Sequence, residues 1–335
     1  MYLRHFGLEK SPFSLTPDPQ FLFLTPRHRE ALAALLFAVM ERKGFMVMTG
    51  DAGTGKTTLA RKLLVSTPQT CAQFSVIVNP TLTPSEFLEY VLMDFGLSDV
   101  PSSKAQRLAL LTKLLVRAHG EGKTSVLVID EAHLLTRELV EEVRLLSNFE
   151  TAEQKLLQII LVGQNELDRV LNLDSLRQVK QRIAIRVHIN PLAEAEVKSY
   201  LQTRWTRACS QQELPFSDDT IALIARASGG VPRVVNGICD AALVNACGTG
   251  TRVILPEHIQ EVLEDLDIPV VASQPQPNGI PETVAPTAAP PTIDRIAAHP
   301  AEFPVPLERY WPKKAKSPKI WKLASWFGAA HTEVK

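Results

Sequence analysis

The sequence has no excess of either charge, few cysteines and no long uncharged apolar run. Its 36 basic and 36 acidic residues cancel, so we do not expect nucleic acid as a partner, although this does not exclude a local basic patch. No apolar run approaches the roughly 18 residues that indicate a membrane-spanning helix, and the N-terminus has no apolar core of secretory length. We therefore expect a cytoplasmic protein.

The cysteines also exclude two kinds of site. There are four, without C-x-x-C spacing: Cys71, Cys209, Cys239 and Cys247. We interpret them as reduced, small, buried residues, and we expect no structural metal centre built on thiolates.

What the chain does contain is an alternation of strand and helix patterns. Its 335 residues, 45% apolar and 21% charged, are typical of a globular protein of about two domains. Short apolar runs predict five strands, and helical periodicity predicts helices between them, which indicates an α/β domain with a parallel sheet. The predicted strands are 45–49, 74–78, 125–129, 157–162 and 184–189. The predicted helices are 27–41, 56–65, 84–95, 104–118 and 137–148.

Three regions follow from these patterns. Residues 1–191 form the α/β domain, including a Pro- and Phe-rich leader (1–25) that we interpret as an ordered loop because its prolines interrupt any repeating backbone. Residues 192–268 carry four helical patterns, 193–208, 218–227, 232–247 and 256–266, and form a small helical lid. Residues 269–335 are a Pro-rich linker with little to bury and a basic, aromatic tail.

A glycine-rich segment follows the first strand and opens a helix. It fits the pattern G-x-x-x-x-G-K-[ST], whose backbone N–H groups bind phosphates while the lysine contacts the terminal phosphates and the hydroxyl holds Mg²⁺. The predicted cofactors are therefore ATP and Mg²⁺. The nucleotide-binding residues are Gly50, Asp51, Ala52, Gly53, Thr54, Gly55, Lys56, Thr57 and Thr58.

Two adjacent carboxylates follow the third strand, in SVLVIDEAHLL. Asp130 is the predicted partner of Thr57 in the Mg²⁺ shell, and Glu131 is the predicted general base that polarises the attacking water. The letters DEAH also occur in helicases, but no second α/β pattern follows here, and we do not adopt that interpretation.

Polar and cationic residues further along complete the predicted site. Gln164, after the fourth strand, is placed to contact the γ-phosphate, with Asn165 as the alternative. An arginine that stabilises charge in a neighbouring subunit's transition state is expected among Arg177, Arg182 and Arg186, with Arg182 preferred. Arg233, in the first turn of a lid helix, lies where the helix dipole disfavours a cation, which indicates a compensating anion such as ATP phosphate.

Together these segments resemble one protein family. FGLEKSPFSLTPDPQFLFLTPRHREAL, GDAGTGKTTL, VLVIDEAHLL, IILVGQNEL, QRIAIRVHINPL and SGGVPRVVNGICDAAL are similar to motifs of AAA+ ATPases of the general secretion pathway protein A type, or ExeA-like family. The resemblance implies a three-layer α/β/α P-loop domain with a helical lid. It also implies ATP hydrolysis at sites shared between subunits of a homo-oligomer, which assembles, remodels or regulates a secretion, pilus or exopolysaccharide export system.

The resemblance also implies roles for single residues. Gln164 corresponds to sensor 1, Arg182 to the arginine finger and Arg233 to sensor 2, and the leader borders the adenine. From its position after the second strand, we expect Asn79 to hydrogen-bond Glu131 and hold it inactive.

Some features depart from the family or leave the function open. Secretion-type members commonly continue into a transmembrane segment and a peptidoglycan-binding domain, whereas this sequence continues into the Pro-rich tail. Lysines and tryptophans in residues 310–328 suggest peripheral contact with the inner face of the cytoplasmic membrane, with a docking peptide or a solvated tail as the alternatives. Two alternative functions are a regulatory ATP switch and a DNA-targeting or transposition adaptor.

Overall fold

A computed structural model describes residues 1–269, apart from 17, 19–20, 173–176 and 209–211. The linker and tail predicted beyond 269, including the expected membrane contact through 310–328, lie outside the described residues. Within the described part, no helix is both long enough and apolar enough to cross a membrane.

Five parallel strands form a single sheet in the order β2-β3-β4-β1-β5. The predicted parallel sheet is therefore confirmed, with all five strands within two residues of their predicted bounds. The strands are β1 (Phe45–Gly50), β2 (Ala72–Ile77), β3 (Thr124–Ile129), β4 (Leu157–Val162) and β5 (Ile183–Ile189).

Helices cover both faces of the sheet and form the region after it. Up to β5 they are α1 (Tyr2–Phe6), α2 (Pro26–Met40), α3 (Lys56–Ser66), α4 (Pro84–Asp94), α5 (Lys104–Gly120), α6 (Arg137–Leu146), α7 (Glu166–Leu171) and α8 (Arg177–Lys180), with a 3₁₀ turn at Ala132–Leu134. The helices that follow are α9 (Glu194–Arg207), α10 (Asp218–Ser228), α11 (Pro232–Thr249) and α12 (Pro256–Asp265).

Local sequence signals explain where several helices begin. Thr25 and Thr83 precede a proline at the first helical position, and each side chain accepts a hydrogen bond from a backbone N–H of the first turn of α2 or α4. Such caps satisfy backbone donors that the helix itself leaves unpaired. The short helices α7 and α8 were not predicted, because segments of six and four residues show too little periodicity.

The strands β3, β4 and β1 are adjacent and fully buried, since helices cover both faces. One face packs against α2 and α3, and the other against α4 to α7. The edge strand β5 differs from this pattern, because its burial alternates and Ala184, Arg186 and His188 are exposed. The sheet order brings the carboxyl ends of β3, β4 and β1 together, where ligands of open α/β sheets bind.

The leader differs from its prediction in two respects. Tyr2–Phe6 is helical rather than a loop. The leader was also counted with the α/β domain, but Phe6, Phe13 and Phe21 are buried in the same hydrophobic core as the lid helices. The physical reason is that the α/β faces are already covered, while the small lid gains apolar area from the leader's aromatic rings.

The cysteines follow the prediction only in part. Cys239 is buried, whereas Cys71 and Cys247 are half-buried, and these three form no disulfide. Cys209 lies outside the described residues.

Candidate functional site

The phosphate loop connects β1 to α3, as the sequence predicts. Gly53 and Gly55 have φ values of 80° and 98°, a backbone region that glycine adopts without steric cost. A Cβ on Gly53 would lie 2.7 Å from the Cβ of Arg233, whereas one on Gly55 would meet no atom within 4 Å. Gly53 is therefore required both by its backbone angle and by the close approach of helix α11.

Lys56 opens helix α3 and is almost fully buried. Its Nζ donates to the backbone oxygens of Gly50 at 2.9 Å and Asp51 at 2.7 Å. Burial lowers the pKa of this ammonium, and nearby Glu131 and Asp130 oppose that effect. An ammonium has three donors, so Lys56 retains one for a phosphate oxygen while it remains held on the loop.

The two predicted Mg²⁺ ligands are in direct contact. The Thr57 hydroxyl donates to Asp130 Oδ2 at 2.7 Å, and the Glu131 N–H donates to Asp130 Oδ1 at 2.9 Å. Burial raises the pKa of the Asp130 carboxyl, and the hydrogen bond from Thr57 opposes this. A hydroxyl and a carboxylate beside a phosphate loop are the oxygen donors that Mg²⁺ prefers, so the residues fit the ion.

Glu131 has an unusual backbone. Its φ and ψ of 49° and 36° lie in the left-handed region, which is uncommon for a residue other than glycine and costs energy that the surroundings must offset. Its Oε2 atom is covered and has no hydrogen-bond partner among the described residues, although 43% of the side chain is exposed. The carboxylate therefore keeps acceptor capacity at the edge of the cavity.

The structure does not support the expected contact between Asn79 and Glu131. Asn79 Oδ1 instead accepts hydrogen bonds from Thr81 N at 3.1 Å and Thr81 Oγ1 at 2.6 Å. This local turn is available because Asn79 lies just beyond the end of β2, after Val78, and a Pro-Thr pair comes next.

Gln164 and Asn165 take different positions at the end of β4. Gln164 lines the cavity beside the phosphate loop. Asn165 precedes α7 but does not cap it; its Nδ2 donates to Asp51 Oδ1 at 2.5 Å. Of the two alternatives, Gln164 lines the cavity, whereas Asn165 hydrogen-bonds the phosphate loop.

The three candidate finger arginines lie around α8 and β5. Arg182 precedes β5 and donates to Ser147 Oγ at 2.8 Å and to the side chain of Asn148. Arg186 is paired with Asp168 on the exposed face of β5. Arg177 begins α8, and its side chain lies outside the described part of the chain.

A cavity of about 360 Å³ lies between the phosphate loop, the leader and the lid. Arg233 lines it from the first turn of α11, is exposed, and takes part in none of the ion pairs formed among the described residues. A volume of this order suits a nucleotide-sized ligand. Glu131, Gln164, Lys56 and Arg233 therefore converge on one cavity.

The lining of the cavity also contains residues that the sequence analysis missed. They are His28, Tyr200, Arg204 and Asn236. Buried Arg204 donates to the backbone oxygen of Pro12 at 2.5 Å, and its guanidinium lies 5.1 Å from the Phe21 ring, so it joins the leader to α9. Tyr200 OH donates to Asn236 Oδ1 at 2.8 Å.

His28 joins the leader to the phosphate loop. Its Nδ1 accepts from Thr25 N at 3.3 Å, and the ring also hydrogen-bonds the Thr54 backbone. Burial lowers the pKa of the imidazole, which favours its neutral form. A buried histidine one turn into α2 was the available sequence signal, but spacing alone does not distinguish it from an exposed one.

Comparison with known proteins agrees with this geometry. A family model described as an AAA domain matches residues 39–171. Two solved structures share the fold: Cdc6p from Pyrobaculum aerophilum (TM-score 0.58, 20% identity, 75% of this chain and 71% of that chain) and Drosophila ORC bound to DNA (TM-score 0.58, 20% identity, 77% and 65%). At this identity the likeness concerns the fold alone.

Two curated relatives align over most of the described chain. General secretion pathway protein A of Aeromonas hydrophila is 41% identical over 260 residues, which are 76% of this chain and 46% of the relative. ATP-dependent target DNA activator B of phage Mu is 26% identical over 76% of each chain. The present chain thus spans about half the length of the secretion protein.

The sheet and the phosphate loop define a P-loop NTPase fold, and the family match identifies an AAA domain within it. Within that class, the chain is similar to General secretion pathway protein A, which confirms the resemblance inferred from the motifs.

Proposed function

We propose that this chain binds and hydrolyses Mg-ATP at sites shared between subunits of a homo-oligomer, and that this cycle assembles, remodels or regulates a secretion or export apparatus. The observation that carries the catalytic part is the convergence of Lys56, Thr57 and Glu131 on a cavity that Arg233 also lines, with Asp130 hydrogen-bonded to Thr57. The 41% identity to General secretion pathway protein A supports the secretion part.

The residues divide the chemistry among them. Lys56 and the loop N–H groups hold the terminal phosphates, and Thr57 and Asp130 hold Mg²⁺, which neutralises charge on the phosphate oxygens. Glu131 accepts a proton from the attacking water, and Gln164 orients that water or contacts the γ-phosphate. Arg233 stabilises the phosphate charge from the lid of the same chain.

Sharing of the site between subunits requires a residue from a neighbour. Arg182 is our first choice because it precedes the edge strand β5, and Arg177 and Arg186 remain the alternatives. In the single chain, Arg182 contacts Ser147 and Asn148, so finger function requires these bonds to exchange in the oligomer.

A mixing experiment tests the shared site. Arg182→Ala keeps a complete phosphate loop, and Lys56→Ala keeps its arginine, so both should be inactive alone and regain hydrolysis when mixed. Arg233→Ala is the matched control, because Arg233 acts on the nucleotide bound by its own chain. Mixing Arg233→Ala with Lys56→Ala should therefore restore no hydrolysis. Absence of rescue with Arg177→Ala, Arg182→Ala and Arg186→Ala alike would contradict a shared site.

The proposed role in a secretion or export apparatus is tested in cells. Glu131→Gln should accumulate the ATP-bound form, so its expression over the wild-type protein should inhibit export of protein or polysaccharide. Expression of Lys56→Ala, which should not accumulate that form, should inhibit less. Normal export with both variants would count against the secretion role.

A second candidate is a DNA-targeting adaptor. The observation that favours it is the alignment with the phage Mu target DNA activator over 76% of both chains. Binding of duplex DNA that requires ATP and weakens steeply with salt would support this candidate. Absence of ATP-dependent DNA binding at low salt would exclude this candidate.

A further inference from the structure

His133 lies in the 3₁₀ turn that follows the two carboxylates, and this turn packs on the end of β4. Gly163 makes the close packing possible, because a Cβ there would lie 3.2 Å from His133 N and 3.0 Å from a methyl carbon of Leu167. The turn that follows Glu131 therefore packs closely on the segment after β4 that carries Gln164. Only 13% of the His133 side chain is exposed.

A single imidazole nitrogen faces two groups of the site. His133 Nδ1 accepts from the Gln164 N–H at 3.4 Å, and the same atom lies 3.4 Å from Glu131 Oε2. Without a proton Nδ1 accepts from Gln164, and with a proton it donates to Glu131, but it cannot do both. Both distances are long for hydrogen bonds, so a small shift of either neighbour selects one of them.

Glu131 is the group that such an exchange affects most. Its Oε2 has no hydrogen-bond partner among the described residues, and its backbone is held in the left-handed region. A carboxylate with an unpaired, covered oxygen is poorly oriented for proton abstraction. Donation from His133 Nδ1 would satisfy that oxygen and fix the carboxylate.

We propose that His133 is a positioning residue that connects the phosphate-contacting end of β4 to the general base. When Gln164 moves with the terminal phosphate, its N–H leaves Nδ1, and the ring proton moves from Nε2 to Nδ1 through solvent. The Nδ1–H then donates to Glu131 Oε2. This inference rests on the roles given above to Glu131 and Gln164.

An isosteric pair of variants tests the inference. Asn and Leu have the same shape, but only Asn retains a polar atom at the position of Nδ1. His133→Asn should keep kcat within about threefold of the wild type. His133→Leu should lower kcat by about 10- to 100-fold, as expected for a misplaced base, with KM and ATP affinity changed less than twofold.

The control is His258, whose Nδ1 also accepts from a backbone N–H, that of Leu255 at 3.0 Å, in α12. His258→Leu removes the same kind of bond away from the cavity and should leave kcat unchanged. If His133→Leu does not fold, His133→Ala replaces it in the comparison with His133→Asn.

A double-variant cycle tests the connection itself. In a Gln164→Ala background, His133→Leu should have little further effect on kcat, because the signal from the phosphate is already lost. Equal kcat losses in His133→Asn and His133→Leu, or losses that multiply in the double variant, would overturn the inference. Undiminished hydrolysis by Glu131→Gln would instead overturn the assignment of the base, so the two failures are distinguishable.

Discussion

The two sides of the cavity are built differently. On the α/β side, Lys56, Thr57 and Asp130 hold one another in place through hydrogen bonds at strand and helix ends. On the lid side, Arg233 is exposed and has no ion-pair partner among the described residues. The α/β side is therefore fixed by hydrogen bonds within the chain, whereas the arginine of the lid side keeps its charge for a phosphate.

The leader belongs with the lid side, although it comes first in the sequence. Its aromatic rings share the lid core, and Arg204 holds its backbone. Leader and lid should therefore move as one body when the cavity changes shape. We therefore propose that the α/β side performs the chemistry and that the leader and lid transmit the nucleotide state.

The largest effect is expected on the α/β side, from Glu131→Gln. Loss of the general base should lower the hydrolysis rate by about 10²–10⁴-fold, while ATP affinity stays within about threefold because phosphate contacts remain. Steady-state hydrolysis and fluorescent-nucleotide titration measure the two quantities. Glu138→Gln, in the first turn of α6, is the control and should change neither.

On the lid side, Arg233→Ala should weaken the binding of ATP more than the binding of ADP. A charge-assisted hydrogen bond contributes about 1.5–3 kcal/mol, so ATP affinity should fall by about 10- to 150-fold and ADP affinity by much less. Titration with both nucleotides measures this ratio, and exposed Arg226→Ala on α10 is the control. Equal weakening of ATP and ADP would contradict a role at the terminal phosphate.

Gly53→Ala tests the contact between the two sides. The new Cβ would be strained by a φ of 80° and would lie 2.7 Å from the Arg233 Cβ. Gly250→Ala is the matched control, since its φ of 75° carries similar strain but no atom lies within 4 Å. We expect each to lower the free energy of unfolding by about 1–3 kcal/mol, and only Gly53→Ala to weaken ATP binding, as measured by denaturation and titration.

The smallest expected effect concerns His28, which joins the leader to the phosphate loop. Because its folded pKa is below the unfolded value of 6.5, the unfolded state takes up the proton first as the pH falls. The stability that neutral His28 contributes is therefore complete above pH 6.5 and is lost below it. His28→Gln should reduce the fall in melting temperature between pH 7.5 and 5.5, and an unchanged fall would contradict the assignment.

Much of the α/β side could be predicted from the sequence because its signals are local. The segment from Gly50 to Thr57 ends β1 and opens α3, and Asp130 follows β3. The hydrogen bond between Thr57 and Asp130 therefore requires only that β1 and β3 end at the same edge of the sheet. The hydrogen bond expected between Asn79 and Glu131 is not formed among the described residues, and Asn79 Oδ1 instead accepts from Thr81 in a local turn that the sequence analysis did not consider.

The lid side could be predicted only in part, since its contacts join distant segments. The periodicity after residue 192 predicted all four helices, and the helix start at Pro232 indicated Arg233. Nothing local indicated that Arg204 would hold Pro12, a contact across 192 positions. The sequence likewise did not indicate that one face of β5 is exposed, because this depends on the position of β5 at the edge of the sheet.

The sequence by itself determined the class of fold, the phosphate loop and the two carboxylates, because each depends on neighbouring residues and on the period of the backbone. The tertiary structure decided which core the leader joins, which polar residue after β4 faces the cavity, and that His133 stands between Gln164 and Glu131. These depend on packing between strands and helices that are far apart in the chain, where side-chain shape and the satisfaction of buried polar groups select one arrangement.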